Sequence, residues 1–242
     1  MNIKEWTQVL NIHPGSVISV VGCGGKTTLV KSFAKELSER YKIGVATTTK
    51  MHQPRVGQYR ELFVRHIHEC MTPLTDNGIY YFTDEIVYED KLHDLGAYMA
   101  AQAKAYTDIL LIEADGSKEK PLKGWSDTEP VILEDTTVTI GILTLTELGK
   151  PATKRNVHRM NFFEKQTGIK EGEIVTEAHL SWMVNDKSAM FKYSKAKKVL
   201  FINQVDTDAD AVTAMHFLTQ NHLEVDEIYY GSLRDGHIER FK

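Results

Sequence analysis

The sequence predicts an α/β protein built on a doubly wound, mainly parallel sheet with a helical insertion. Three observations carry that expectation. Short apolar runs such as "SVISVV" and "DILLIEADG" alternate with segments of helical periodicity, a glycine loop joins the first run to an amphipathic segment, and the alternation lapses only between Glu147 and Lys198. The predicted layout is a core over residues 1–146, a helical insertion over 147–196 and a return to the core sheet over 197–242.

Taken in order, Trp6, Val9 and Leu10 have helical spacing and predict a short covering helix before the His13-Pro14-Gly15 turn. "SVISVV" (Ser16 to Val21) reads as a buried strand. Leu29, Val30, Phe33, Ala34 and Leu37 then recur at helical spacing, with Lys35, Glu36, Glu39 and Arg40 on the opposite face. "KIGVATTT" (Lys42 to Thr49) predicts a second strand, and the polar "KMHQPRVGQYR" after it an exposed loop. "NGIYYFTDEIVY" suggests a strand or hairpin, and Lys91 to Tyr106, with Leu92, Leu95, Met99 and Ala103 on one stripe, a helix. "DILLIEADG" (Asp108 to Gly116) is a strand ending in acid, and "TVTIGILT" (Thr137 to Thr144) another. The insertion offers helical segments, "RNVHRMNFFEKQTG" and "TEAHLSWMVN", with no convincing strand. Lys197 to Asp206 resumes the sheet, followed by a helix from about Asp208 to Gln220 and a last strand, "VDEIYYGS".

Composition bounds the function. A chain of 242 residues, 42% hydrophobic and 26% charged, can bury a full core. Its formal charge of −4 argues against coating nucleic acid, which needs a large basic face. Two cysteines, Cys23 and Cys70, are too few for a disulfide framework, and the opening residues lack the charged start, apolar run and cleavage site of a leader. No apolar run approaches a membrane span. The expectation is a cytoplasmic protein with reduced thiols, and neither nucleic acid nor membrane as a partner.

The chemistry is concentrated in "VVGCGGKTTL". The usual phosphate-binding loop has a glycine five residues before its Gly-Lys pair, and here Val20 holds that place inside the strand. The loop is contracted to Gly22, Cys23, Gly24, Gly25, Lys26, Thr27 and Thr28. Three glycines can still turn backbone N–H groups onto a phosphate at the positive end of the following helix, so this is read as a P-loop of an NTPase-like fold. Lys26 would reach the β and γ phosphates of ATP or GTP, and Thr27 would give its hydroxyl to Mg²⁺. The bland alternative is a tight strand-to-helix turn with a capping threonine. Cys23 reads as a small side chain facing the core rather than a redox group.

A bound nucleotide calls for acids at a strand end. Glu113 and Asp115, two apart and hence on one face of a strand, offer one carboxylate for the Mg²⁺ shell and another to orient water, with Asp115 favoured for the metal and Asp115-Gly116 as ordinary turn chemistry the alternative. Farther on, Asn203 and Asp206 have the spacing of a guanine-reading Asn-Lys-x-Asp motif in which Gln204 replaces the lysine. Asp206 either reads a base or caps the following helix. Lys50, His52 and Arg55, and then Lys118, Lys120 and Lys123, gather at predicted strand ends, where they either border an anionic substrate site or, as is more frequent for loop charges, are simply solvated. The histidines show no zinc-ligand spacing.

Together "VVGCGGKTTL", "TTTKM", "LLIEADGSKEKPLKGWSDTEPVI", "VHR" and "NQVD" resemble, in order and setting, the selenium-dependent hydroxylase accessory proteins commonly called the YqeC family, from about Ser16 to Asp206. The resemblance implies a nucleotide-binding protein that assists maturation of selenium-containing molybdenum hydroxylases, with those enzymes or cofactor-assembly proteins as partners. It carries Gly22, Gly24, Gly25, Lys26 and Thr27 over to phosphate and magnesium, and Glu113 and Asp115 to the acidic strand end. Lys50, Lys123, His158 and Arg159 match family motifs without an assigned role. The leading expectation is an NTP-hydrolysing maturation factor. Its rivals are a small-molecule kinase or ATP-dependent ligase, and a module that binds nucleotide without hydrolysing it.

Overall fold

The first helix, α1 (Ile3–Val9), starts from a reciprocal cap: Asn2 Oδ1 accepts from Glu5 N, and the Glu5 carboxylate accepts from Asn2 N. The computed structural model describes residues 1–65, 73–87 and 91–242, so Cys70 and the Tyr88 end of the "NGIYYFTDEIVY" segment lie outside the described residues. Trp6 and Leu10 are buried as their spacing predicts, whereas Val9 is exposed. Trp6 packs on Phe33, Phe201 and Tyr229, which seals α1 over the sheet.

β1 (Val17–Gly22), α2 (Lys26–Leu37) and β2 (Lys42–Thr47) fall within two residues of the sequence expectation, and α2 buries all five apolar positions of its predicted stripe. The stretch expected as a loop after β2 begins instead as a strand, β3 (Lys50–His52), and β4 (Glu61–Val64) follows it unforeseen. β5 (Gly78–Thr83), β6 (Ile86–Val87) and β7 (Lys91–His93) come next, so the helix predicted from Lys91 is shortened to α3 (Gly96–Tyr106). Gly96 has φ +57 and breaks any continuation toward Lys91. Leu92, Leu95, Met99 and Ala103 are all buried nonetheless, because Leu92 reaches the core from a strand at a spacing that a helix would also satisfy.

β8 (Ile109–Glu113) ends at Glu113, leaving Asp115 in the loop beyond it. β9 (Leu122–Lys123), β10 (Val138–Thr144), β11 (Val157–His158), α4 (Met160–Thr167), α5 (Glu177–Asn185), β12 (Lys197–Asn203), α6 (Asp208–Gln220), β13 (Glu227–Ser232) and β14 (His237–Arg240) complete the described elements. Two corrections arise here. The insertion does contain a strand, β11, whose two residues pair with β9, and β13 is followed by an antiparallel partner, β14.

The main sheet has the order β14-β13-β12-β10-β1-β8-β2-β5-β4, parallel throughout except for β14. β3, β7 and β6 form a separate antiparallel ribbon. One core, with Trp6, Phe33 and Phe201, lies under α1 and α2; the other, with Met99, Phe163, Met183 and Phe217, lies under α3 to α6. Phe163, Leu180 and Met190 of the insertion therefore share the second core with the sheet. The strand order turns back at β1, which has β8 on one side and β10 on the other. Parallel sheets open their ligand crevice at the carboxyl ends of strands at such a reversal.

Candidate functional site

Gly22 to Thr28 occupies that crevice. Gly22, Gly24 and Gly25 have φ of +92, +91 and +135, and a Cβ on Gly22 would strike Ile142 O while one on Gly25 would strike Asn203 Nδ2. The sequence folds this way because only glycine combines those dihedrals with so close a backbone approach. α2 starts at Lys26 with no side chain capping it, so its first-turn N–H groups have no intrahelical acceptor and face the half-exposed end of the loop. Cys23 is fully buried; burial pushes its thiol up to about 11, and it stays neutral.

The side chains predicted from the sequence converge on this loop. Lys26 is buried, and its Nζ donates to Gly22 O at 2.6 Å and Ser117 Oγ at 3.2 Å and lies 3.3 Å from Asp115 Oδ1. Thr27 Oγ1 donates to Glu113 Oε2 at 2.6 Å. The two acids thus take different places. Glu113 meets the threonine hydroxyl, while Asp115 Oδ2 accepts from Trp125 Nε1 at 2.8 Å and Gly22 N at 3.3 Å and lies 3.4 Å from Lys123 Nζ. Burial raises Glu113 above the ordinary carboxylate range, outweighing the nearby Lys26 charge and the Thr27 hydrogen bond. Burial would also raise Asp115, but Lys123, Lys26 and the Trp125 hydrogen bond hold it below that range. Burial works against the Lys26 charge, but Asp115 together with the other acidic groups around it outweighs that cost, so Lys26 is raised above its ordinary value and keeps its proton.

Lys123 has no exposed side chain: its Nζ donates to Gly116 O at 2.6 Å and sits 2.8 Å from Glu129 Oε2. Arg159 Nη2 donates to Glu129 Oε1 at 2.9 Å. A chain of alternating charge therefore runs from the loop to the insertion through Lys26, Asp115, Lys123, Glu129 and Arg159. Trp125, Ser117 and Glu129 were not singled out as site residues by sequence reasoning, although all three lie inside the long motif "LLIEADGSKEKPLKGWSDTEPVI". His158 is half-buried beside Lys123; burial and then the Lys123, Arg159, Lys118 and Lys120 charges lower it to about 4, so it is neutral near pH 7. Lys50 stands exposed on β3. The threonines before it are structural: Thr47 Oγ1 donates to Glu113 O and Thr48 Oγ1 to Val131 O, fixing the loop beyond β8.

The downstream pair divides in the same way. Asn203 Nδ2 donates to Gly24 O at 2.7 Å and its Oδ1 accepts from Leu233 N at 3.0 Å, so it clamps the loop to the β13–β14 turn. Asp206 lies 3.4 Å from Arg234 Nη1. The capping alternative for Asp206 is overturned, because Thr207 is the N-cap of α6 and forms a capping box with Asp210. Beside Asn203 a cleft of ≈ 340 Å³ opens between Leu145, Thr146 and Leu148 after β10, Gln204 and Val205 after β12, and Asp210 and Thr213 of α6. Among the described residues no helix is long and apolar enough to cross a membrane.

No solved structure matches this chain. A curated relative, "Uncharacterized protein YqeC" of Escherichia coli (strain K12), is 29% identical over 230 residues, covering 91% of this chain and 88% of the relative. The profile described as YqeC protein matches residues 18–161, from β1 through Lys26, both acids and Lys123 to Arg159. That span covers more than half of the chain, and the chain belongs to the YqeC family.

Proposed function

We propose that the chain is a P-loop nucleotide-binding protein that takes a Mg²⁺-bound nucleoside triphosphate at Gly22 to Thr28 and hydrolyses it while assisting maturation of a selenium-dependent molybdenum hydroxylase. The observation that carries the nucleotide half is the Thr27–Glu113 hydrogen bond beside a buried Lys26 at the open end of β1. The client half rests on the family resemblance of the motifs.

The donor set fits magnesium. Mg²⁺ takes oxygen ligands, commonly one or two from protein and the rest from phosphate and water, and the Thr27 hydroxyl and Glu113 carboxylate supply that share. In this reading Glu113, rather than Asp115, belongs to the metal shell. When bound, the ion would neutralise phosphate charge. Glycine-loop and first-turn N–H groups hold the phosphate oxygens, and Lys26 exchanges Gly22 O and Ser117 Oγ for them. Asp115 positions Lys26 and keeps it charged. The segments after β2 and β8 meet where His52 Nε2 lies 3.9 Å from Glu119 Oε1, and the exposed Lys50 and Lys118 on them are the cations that would meet an anionic client or cofactor precursor.

Calorimetric titration with non-hydrolysable ATP and GTP analogues tests the proposal. Expected is binding that Mg²⁺ strengthens by about tenfold or more, equivalent to ~1.4 kcal/mol. Thr27→Val is expected to lose that gain, and Lys26→Ala to lose binding. Failure of both triphosphates to bind ends the proposal. Phosphate release is then expected to rise when the client hydroxylase is added, whereas phosphate recovered on a metabolite would mark a kinase.

A further inference from the structure

We infer that the cleft beside Asn203 is a nucleobase site, and that Gln204 makes it selective for guanine. The inference rests on the nucleotide reading above and adds the identity of the base and the residue that reads it. The cleft adjoins the phosphate loop directly, since Asn203 both lines it and binds Gly24 O. Its ≈ 340 Å³ is at the small end for ligand sites, enough for a base and part of its sugar. Leu145, Leu148 and Val205 are only partly buried and offer apolar walls to a flat ring.

Gln204 is the polar group placed to read that ring. It is exposed at the mouth of the cleft, held at φ +65 directly after the Asn203 clamp. Its Oε1 accepts the Thr144 hydroxyl at 2.6 Å, and Thr144 is itself buried against Gly24. The carboxamide is therefore oriented: its oxygen is engaged and its NH₂ presents two donors. Guanine offers N7 and O6 on one edge, both acceptors, whereas adenine offers N7 beside an N6 amino donor. Donors alone match guanine and meet a like group on adenine. Asp206, the residue that motif spacing assigned to the base, is engaged by Arg234 instead.

The test compares GTP, ATP and inorganic tripolyphosphate, all with Mg²⁺, by calorimetry on the full chain. Tripolyphosphate fills the phosphate loop alone. Expected is an order GTP, ATP, tripolyphosphate, with GTP about tenfold or more tighter than ATP. Gln204→Leu is expected to bring GTP and ATP within about threefold of each other without changing tripolyphosphate, and thermal melting checks that the variant is folded. Gln204→Glu, which replaces the donors by acceptors, is expected to move preference toward ATP. Equal binding of GTP and tripolyphosphate overturns the cleft as a base site, and ATP preference in the native chain overturns the role of Gln204. Either result leaves the phosphate loop intact, whereas loss of all three ligands sinks the nucleotide reading and this inference with it.

Discussion

At the scale of single residues, Glu113 is where function and stability pull apart. It is almost fully buried with its pKa raised by that burial, and its hydrogen bond to Thr27 does not offset the cost of ionising there. A carboxyl group with a raised folded pKa favours the folded state in its protonated form. Its contribution is present below the ordinary carboxylate range and lost as pH climbs through the raised value. Glu113→Gln keeps an acceptor for Thr27 and removes the charge. It is expected to raise unfolding free energy at pH 7 by about 1 kcal/mol, and to flatten the decline in stability between acid and neutral pH. Urea titrations at several pH values check both, and the same variant should lose the magnesium gain in nucleotide binding. Asp115 differs because two ammonium groups and an indole N–H surround it, so it is stable as an anion.

At the scale of elements, the loop after β12 turns a guanine-motif lookalike into two separate devices. Asn203 acts on the glycine loop, because it spans Gly24 O and Leu233 N. Asn203→Ala leaves both groups without this partner and is expected to cost about 1–3 kcal/mol of stability. It should weaken GTP, ATP and tripolyphosphate alike, since it loosens the cradle they share; a loss confined to GTP would instead make Asn203 a base reader. The motif spacing placed these residues correctly at the carboxyl end of β12 but could not say which atoms they touch, because Gln204 and Asp206 take their partners from Thr144 and Arg234, far away in sequence. The same limit explains the missed strands. β9 and β11 have two residues each, too short for a period to register, and their pairing brings together Lys123 and His158 across thirty-odd positions. The wholly buried β1, β8 and β10, and β12 beyond its two opening lysines, were legible because burial on both faces writes a continuous apolar run. Leu92 misled because i, i+3, i+7 spacing describes buried positions equally well when a strand leads into a helix.

At the scale of the whole molecule, the insertion is distinct in sequence and continuous in packing. Phe163 stacks edge-on to Trp182, Trp182 lies 6.2 Å from Trp125, and these rings join the core that holds Leu143 and Leu200 of the sheet. The alternating charges from Lys26 to Arg159 tie the same region to the glycine loop; the buried pairs from Lys26 to Glu129 cost about 3–5 kcal/mol when one partner is removed, and the partly exposed Glu129–Arg159 pair costs less. Neither tie would survive if residues 147–196 opened while the sheet stayed closed. The expectation is therefore a single cooperative transition, which the three tryptophans can report because they sit on opposite faces. Trp6 belongs to α1, Trp182 belongs to the insertion and Trp125 packs against it. In a Trp6→Phe variant fluorescence follows the insertion side, and in a Trp125→Phe, Trp182→Phe variant it follows the α1 side. Each is measured against far-ultraviolet circular dichroism of the same variant in urea, so that the differing stabilities of the variants do not enter the comparison. Coincident curves in both variants mean that the insertion folds as part of the main sheet. An earlier fluorescence transition on the insertion side alone would make it an independent unit, and the charge chain from Lys26 to Arg159 would then be a contact between two bodies.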